Sequence, residues 1–121
     1  MSQTRALVVK CTAGADEPER ANQAFTVAAA AAAAGAQVSL WLTGDAVWFA
    51  VPGRASVELP LATPVSDLLD LVVSMGSVTV CSQCAARRSL VGNDLVEGAQ
   101  IKGAVVFAEE ILRDGVQALV Y

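Results

Sequence analysis

The chain has 121 residues, 55% of them hydrophobic and 17% charged, with a formal net charge of −4 at pH 7, three cysteines and no histidine. That length suits one domain over residues 1–121 with a single core, and the acidic balance disfavours nucleic acid, which calls for a basic stripe with interleaved aromatics. The missing histidine removes Ser-His-Asp and Cys-His nucleophile pairs, most zinc hydrolase sites and every imidazole base, leaving thiols, carboxylates, arginines and backbone dipoles to carry any chemistry.

RALVVKC, residues 5 to 11, is a short β-branched run that reads as a strand covered on both faces, as in a parallel sheet. TAGADEPER then puts Pro18 where a helix can begin and acidic residues at the helix's positive end. The helix is predicted from Pro18 to Ala34, through the alanine run Ala28 to Ala34, with Gly35 as its stop. Lacking bulky side chains, it can approach a sheet or a neighbouring subunit closely. QVSLWLTG, residues 37 to 44, gives a second strand, and DAVWFAV adds one or two helical turns capped by Asp45 and anchored by Trp48 and Phe49. PGRASVELPLATP, punctuated by Pro52, Gly53, Pro60 and Pro64, is a long irregular loop. Residues 64 to 76 space leucines and valines for one helical face, with Asp67 and Asp70 outward.

SVTVC, residues 77 to 81, is a third strand, followed by a short helix in SQCAARRSLV. The last helix is expected from Lys102 to Arg113, stopped by Gly115, with VQALVY as a terminal strand. Strands alternating with helices predict an α/β, single-domain, three-layer fold of the flavodoxin-like kind. Its sheet would be mainly parallel, with about four or five strands flanked by helices and joined by right-handed crossovers.

FTVAAAAAAAGAQVSLWL is the most uniform apolar stretch, yet it is alanine-dominated and broken by Gly35, Gln37 and Ser39, short of the ~20 strongly apolar residues of a span. ADEPER before it is acidic where a signal peptide would be positive. The expectation is therefore a cytoplasmic chain without a membrane span, in which an odd cysteine count describes no disulfide framework. Charged residues fall well below the roughly 25% of an average domain, and the apolar excess predicts a closed homo-oligomer.

The working crevice of an open α/β sheet lies at the carboxyl ends of its strands. Cys81 and Cys11 both fall at such ends. The chain turns into a helix directly after Cys81, so the sulfur would face unpaired amides and a positive dipole, which lower a thiol pKa and raise the thiolate fraction. Arg87 and Arg88 lie about two turns on and add positive potential without needing to touch the sulfur. The bland alternative is a core cysteine. With no second C-x-x-C and no histidine, an intrachain zinc site is not expected, leaving only zinc shared between subunits, and Cys81 with Cys84 can also be read as a thioredoxin-like dithiol.

VTVCSQCAARRSLV, with GAQIKGAVVFAEEILRDGVQALVY after it, resembles the DsrE/DsrF/TusD-type sulfur-relay proteins, in which a strand-ending cysteine precedes an arginine-bearing helix. The opening strand, glycine-bearing loop, alanine-rich helix and second strand are similar to the same family, so the likeness covers nearly the whole chain in layout. The resemblance implies a persulfide carrier: Cys81 would accept sulfane sulfur from a donor protein and pass it to an acceptor thiol, with no histidine base and no cofactor. It also implies trimers or hexamers of this chain. Cys84 is an additional thiol, which would attack a Cys81 persulfide, release sulfide and leave a disulfide.

Thr12, Gly14, Thr43 and Gly44 share the sheet edge with Cys81 and are candidates, with Cys11, for lining its pocket, against ordinary roles as turn and cap residues. TAGADEP has neither a P-loop lysine nor G-x-G-x-x-G, so nucleotide binding has no support. Trp41 and Trp48 read as core or interface anchors, and Glu109 and Glu110 as a solvated helix edge. The rival class is an oligomeric scaffold or small-ligand-binding protein with inert cysteines, and the third is a thiol-disulfide reductase. Thiol exposure and acidity separate the first of these from a carrier.

Overall fold

The β-branched runs Ala6–Cys11 (β1), Gln37–Leu42 (β2) and Ser77–Cys81 (β3) form the centre of one sheet, with Ala99–Lys102 (β4) and Val116–Val120 (β5) as its edges. The structure is a computed structural model that describes residues 4–121. The strand order is β4-β3-β2-β1-β5 and every neighbouring pair is parallel. All five carboxyl ends therefore lie along the same edge of the sheet.

Helices Pro18–Ala33 (α1) and Val65–Met75 (α2) pack side by side on one face. α1 buries Ala21, Ala24, Phe25, Ala28, Ala29 and Ala32, and these small side chains bring its backbone close to the sheet. They meet Val9, Leu40, Leu42, Val78 and Val80 in a dry core, where Phe25 and Phe49 pack edge to face at 5.3 Å. Asp67 and Asp70 point outward from α2 as their spacing predicts.

Strand alternation sends Lys10, Trp41 and Thr79 to the opposite face. That face is covered by the helix Ala104–Ile111 (α4), whose Phe107 packs on Trp41 at 5.3 Å. The layers are thus α1 and α2, the sheet, and α4. The third is thin: no residue of α4 or β5 is buried.

Three expectations need correction. Residues 99–102 form a strand where none was predicted, and the last helix starts at Ala104 and ends at Ile111 rather than spanning 102–113. The reason is brevity: β4 is four residues long between Gly98 and Gly103, so only Ala99 and Ile101 pack on the core and the alternation has no length in which to register. Asp45 does not cap the 3₁₀ helix Gly44–Ala50, because Thr43 precedes that helix and the Asp45 carboxylate is paired with Arg88 at 2.8 Å. Glu110 is no solvated edge: its Oε1 accepts from Ser39 Oγ at 2.6 Å and Trp41 Nε1 at 3.1 Å. A buried indole N–H needs a partner, and Glu110 is the residue α4 supplies.

Candidate functional site

Cys81 ends β3 and immediately precedes the helix Ser82–Arg87 (α3), with φ −62° and ψ 128°. This extended conformation turns its side chain back toward the first turn of α3. The sulfur makes no capping hydrogen bond, but the electropositive amides of Gln83 and Cys84 in the first turn of α3 favour negative charge on it. Partial burial pushes the thiol up; the amides of Cys84 and Gln83, the Cys84 thiol and the charge of Lys10 together outweigh it and hold Cys81 below the usual thiol range. Cys81 is half-buried and stays within reach of solvent.

Cys84, one turn on, is 9% exposed and faces inward. Its Sγ accepts the Gly44 N–H at 3.2 Å and lies 4.0 Å from Arg87 Nη1. Arg88 Nη1 donates to the Cys84 carbonyl at 3.1 Å while its Nη2 holds Asp45, so one guanidinium ties α3 to the loop after β2. The arginine pair thus surrounds Cys84, and neither guanidinium is among the groups that act on Cys81.

Two glycines let the loops come this close. Gly44 has φ +55°, a left-handed backbone, and a Cβ there would stand 3.2 Å from the Thr12 carbonyl. A Cβ on Gly14 would meet the Asp45 Cβ at 2.6 Å. Thr43 is buried, with its backbone N–H donating to the Cys11 carbonyl at 3.0 Å. Thr12 spends both its N–H and its hydroxyl on the Tyr121 carbonyl, at 2.8 and 2.7 Å. The loops after β1, β2 and β3 are therefore knitted together beside Cys84, and the predicted pocket residues serve largely as that knit.

Cys11 is fully buried and donates its thiol to the Ala13 carbonyl at 3.4 Å. Burial pushes it above the usual range, only partly offset by the Ala13 backbone. By strand alternation Cys11 belongs with Val9 and Leu42 on the α1 face, whereas Cys81 shares the parity of Thr79 and Trp41. The two sulfurs leave opposite faces of the sheet.

Lys10 is the residue the sequence reading missed. It sits in a central strand in register with Trp41, and its ammonium lies 5.1 Å from the centre of the Phe107 ring. The available signal was a lysine one position before the carboxyl end of an otherwise apolar strand, on the parity of Cys81. A separate cavity of about 390 Å³ opens at the amino ends of the strands, lined by Ser39, Ser77, Glu110 and Arg113 among others, at the far end from the cysteines. Among the described residues, no cluster of three or more histidine, cysteine or acidic side chains is placed to hold a metal ion.

The sequence profile of the DsrE/DsrF-like family matches residues 6–120. The chain belongs to the DsrE/DsrF-like family. The fold agrees: the crystal structure of the YchN protein from E. coli superposes with a TM-score of 0.78 at 18% identity, covering 98% of this chain and 100% of that one. A protein of unknown function from Methanobacterium thermoautotrophicum gives 0.73 at 13% identity, with 98% and 100% covered. Another, from Bacteroides thetaiotaomicron, gives 0.64 at 13%, with 97% and 95% covered. No curated protein matches the sequence significantly. In this DsrE/DsrF-like chain the shared architecture thus brings a strand-ending cysteine, a second cysteine one turn on and a lysine from β1 to one edge of the sheet.

Proposed function

We propose that this protein is a sulfur carrier, with Cys81 as the thiol that receives sulfane sulfur as a persulfide and yields it to an acceptor thiol. The observation that carries the reading is the acidity and exposure of Cys81 together, set against two cysteines that are buried. An inert core cysteine has neither property. In the loading step the Cys81 thiolate attacks the outer sulfur of a donor persulfide; a new S–S bond forms, the donor's S–S bond breaks, and the donor leaves as a thiolate. In the unloading step an acceptor thiolate attacks the outer sulfur now on Cys81, and Cys81 leaves as the thiolate. A depressed pKa serves both steps, by raising the thiolate fraction before loading and by making Cys81 the better leaving group afterwards.

A second copy of the chain is proposed to cover the thin third layer. Val105 on α4 and Leu112 directly after it are 74% and 79% exposed and lie seven residues apart, along one side of the helix, while Val120 on the edge strand β5 is 65% exposed. An apolar helix beside an unpaired strand edge is a surface that subunit contact would bury. No helix of the described residues is long and apolar enough to cross a membrane.

Transfer tests the carrier directly. Cys84→Ser protein, which has no second thiol beside the loaded sulfur, is loaded with sulfane sulfur, freed of the donor and mixed with glutathione, and glutathione persulfide is trapped by alkylation. The expected result is sulfur moving to glutathione as the protein returns to its unloaded mass. Sulfur that stays on the protein while a small-molecule persulfide control unloads would contradict the proposal.

A further inference from the structure

We infer that Cys81 and Cys84 form a working dithiol in which Cys84 ends the sulfur's stay on the protein, so that the site also reduces persulfide to sulfide. This rests on the carrier reading of Cys81. Three observations lead to it. Cys81 is the residue directly before α3 and Cys84 lies three residues on, in the first turn of that helix, the placement in which the side chain ahead of a helix reaches back over its third residue. The Cys84 thiol is among the groups that hold the Cys81 thiol below its usual range. The two differ in access: Cys81 is half-buried and within reach of solvent, while Cys84 is 9% exposed, behind the loop that bears Gly44. An external thiol or persulfide therefore meets Cys81, and Cys84 meets what Cys81 holds.

The surroundings of Cys84 suit an attacking sulfur. The Gly44 amide at 3.2 Å and the Arg87 guanidinium at 4.0 Å are both donors, able to accommodate negative charge on that sulfur once its proton is lost. The Asp45 carboxylate nearby is held by Arg88. The Cys84 thiolate attacks the inner sulfur, that of Cys81 itself. A Cys81–Cys84 bond forms, the bond to the outer sulfur breaks, and the electron pair departs on that sulfur, which takes up the proton given up by Cys84 and leaves as hydrosulfide. The sulfane sulfur is reduced and the two cysteines are oxidised to a disulfide, so the step balances without a further reagent. An external dithiol reductant returns the pair to the reduced state and is itself oxidised to a disulfide. Acceptor thiols compete at the outer sulfur, so the fate of the sulfur depends on whether an acceptor arrives before Cys84 turns.

The test uses inorganic polysulfide as the sulfur source, with wild type, Cys84→Ser and Cys84→Ala, the last two checked for native circular dichroism. After loading and removal of excess polysulfide, hydrosulfide release is followed without added thiol, and the protein mass is read under non-reducing conditions. Wild type is expected to release its sulfur as hydrosulfide and finish as a Cys81–Cys84 disulfide. Both variants should retain the sulfur until an external thiol is supplied. Wild type that holds its sulfur as long as the variants, or loses it without forming the disulfide, overturns this inference and leaves the carrier standing. Failure of all three proteins to gain sulfur overturns the carrier reading and this one with it.

Discussion

At neutral pH the folded protein should react with iodoacetamide at Cys81 alone, and Cys81→Ser should abolish the labelling. Cys11 is completely buried and raised in pKa, and Cys84 is buried behind the loop bearing Gly44, so neither presents an accessible thiolate. An ordinary thiol with a pKa of about 8.5 is only a few per cent ionised at pH 7. Partial burial of Cys81 works against ionisation, but the Cys84 and Gln83 amides, the Cys84 thiol and Lys10 overcome it. The sign follows: a depressed pKa moves the midpoint of the alkylation rate to lower pH and leaves more thiolate at neutrality. Lys10→Met removes the one formal charge among these groups and should move that midpoint upward, slowing labelling at pH 7 while leaving the plateau at high pH unchanged. A rate profile over pH, with the labelled peptide identified by mass spectrometry, reads both effects. Labelling of Cys11 or Cys84 before Cys81, or a Lys10→Met profile shifted downward, would contradict this account of the site.

Wild type should migrate as an assembly of several chains, and the double substitution Val105→Glu with Leu112→Lys should reduce it to single chains that remain folded. Exposed valines and leucines are ordinary when scattered. Here they are concentrated: no residue from Val96 to the end of the chain is buried, although this segment supplies a helix and both edge strands. A charge left unpaired in a closed interface costs about 3–5 kcal/mol, and each 1.4 kcal/mol is tenfold in the dissociation constant, so even one such charge weakens association by roughly a hundredfold or more. Within one chain both side chains project largely into solvent, so the substitutions should leave the fold unchanged. Light scattering and circular dichroism together decide the point. A monomeric wild type would show that this face is left open.

The parts of the fold legible in the sequence are those whose signals have length. β1, β2 and β3 carry apolar runs bounded by turn residues, and α1 and α2 carry propensity and periodicity over several turns. β4 is short and amphipathic at the edge of the sheet, and its residues read equally well as a helix start until the pairing of Lys102 with Cys81 is seen. At the site, Cys81 stood out because a strand end, a helix start and a C-x-x-C pattern coincide on it. The arginines stood out as well, but Arg88 finds its partner across the sheet edge in Asp45, while Arg87 reaches back within α3 to the Cys84 sulfur. Lys10 and Glu110 were missed for the same reason. Each acts on residues tens of positions away in the chain, Lys10 on Cys81 and Glu110 on Ser39 and Trp41. Such contacts depend on strand order and register, which local pattern does not encode.

The measurement that bears most directly on the carrier proposal is the intact mass of reduced protein after brief exposure to a sulfane-sulfur donor, followed by alkylation, proteolysis and location of the added sulfur. The account predicts a reductant-reversible gain of sulfur on the peptide that contains Cys81, present in wild type and in Cys84→Ser and missing in Cys81→Ser. A gain that persists in Cys81→Ser, or no gain under conditions that load a control thiol, would contradict it.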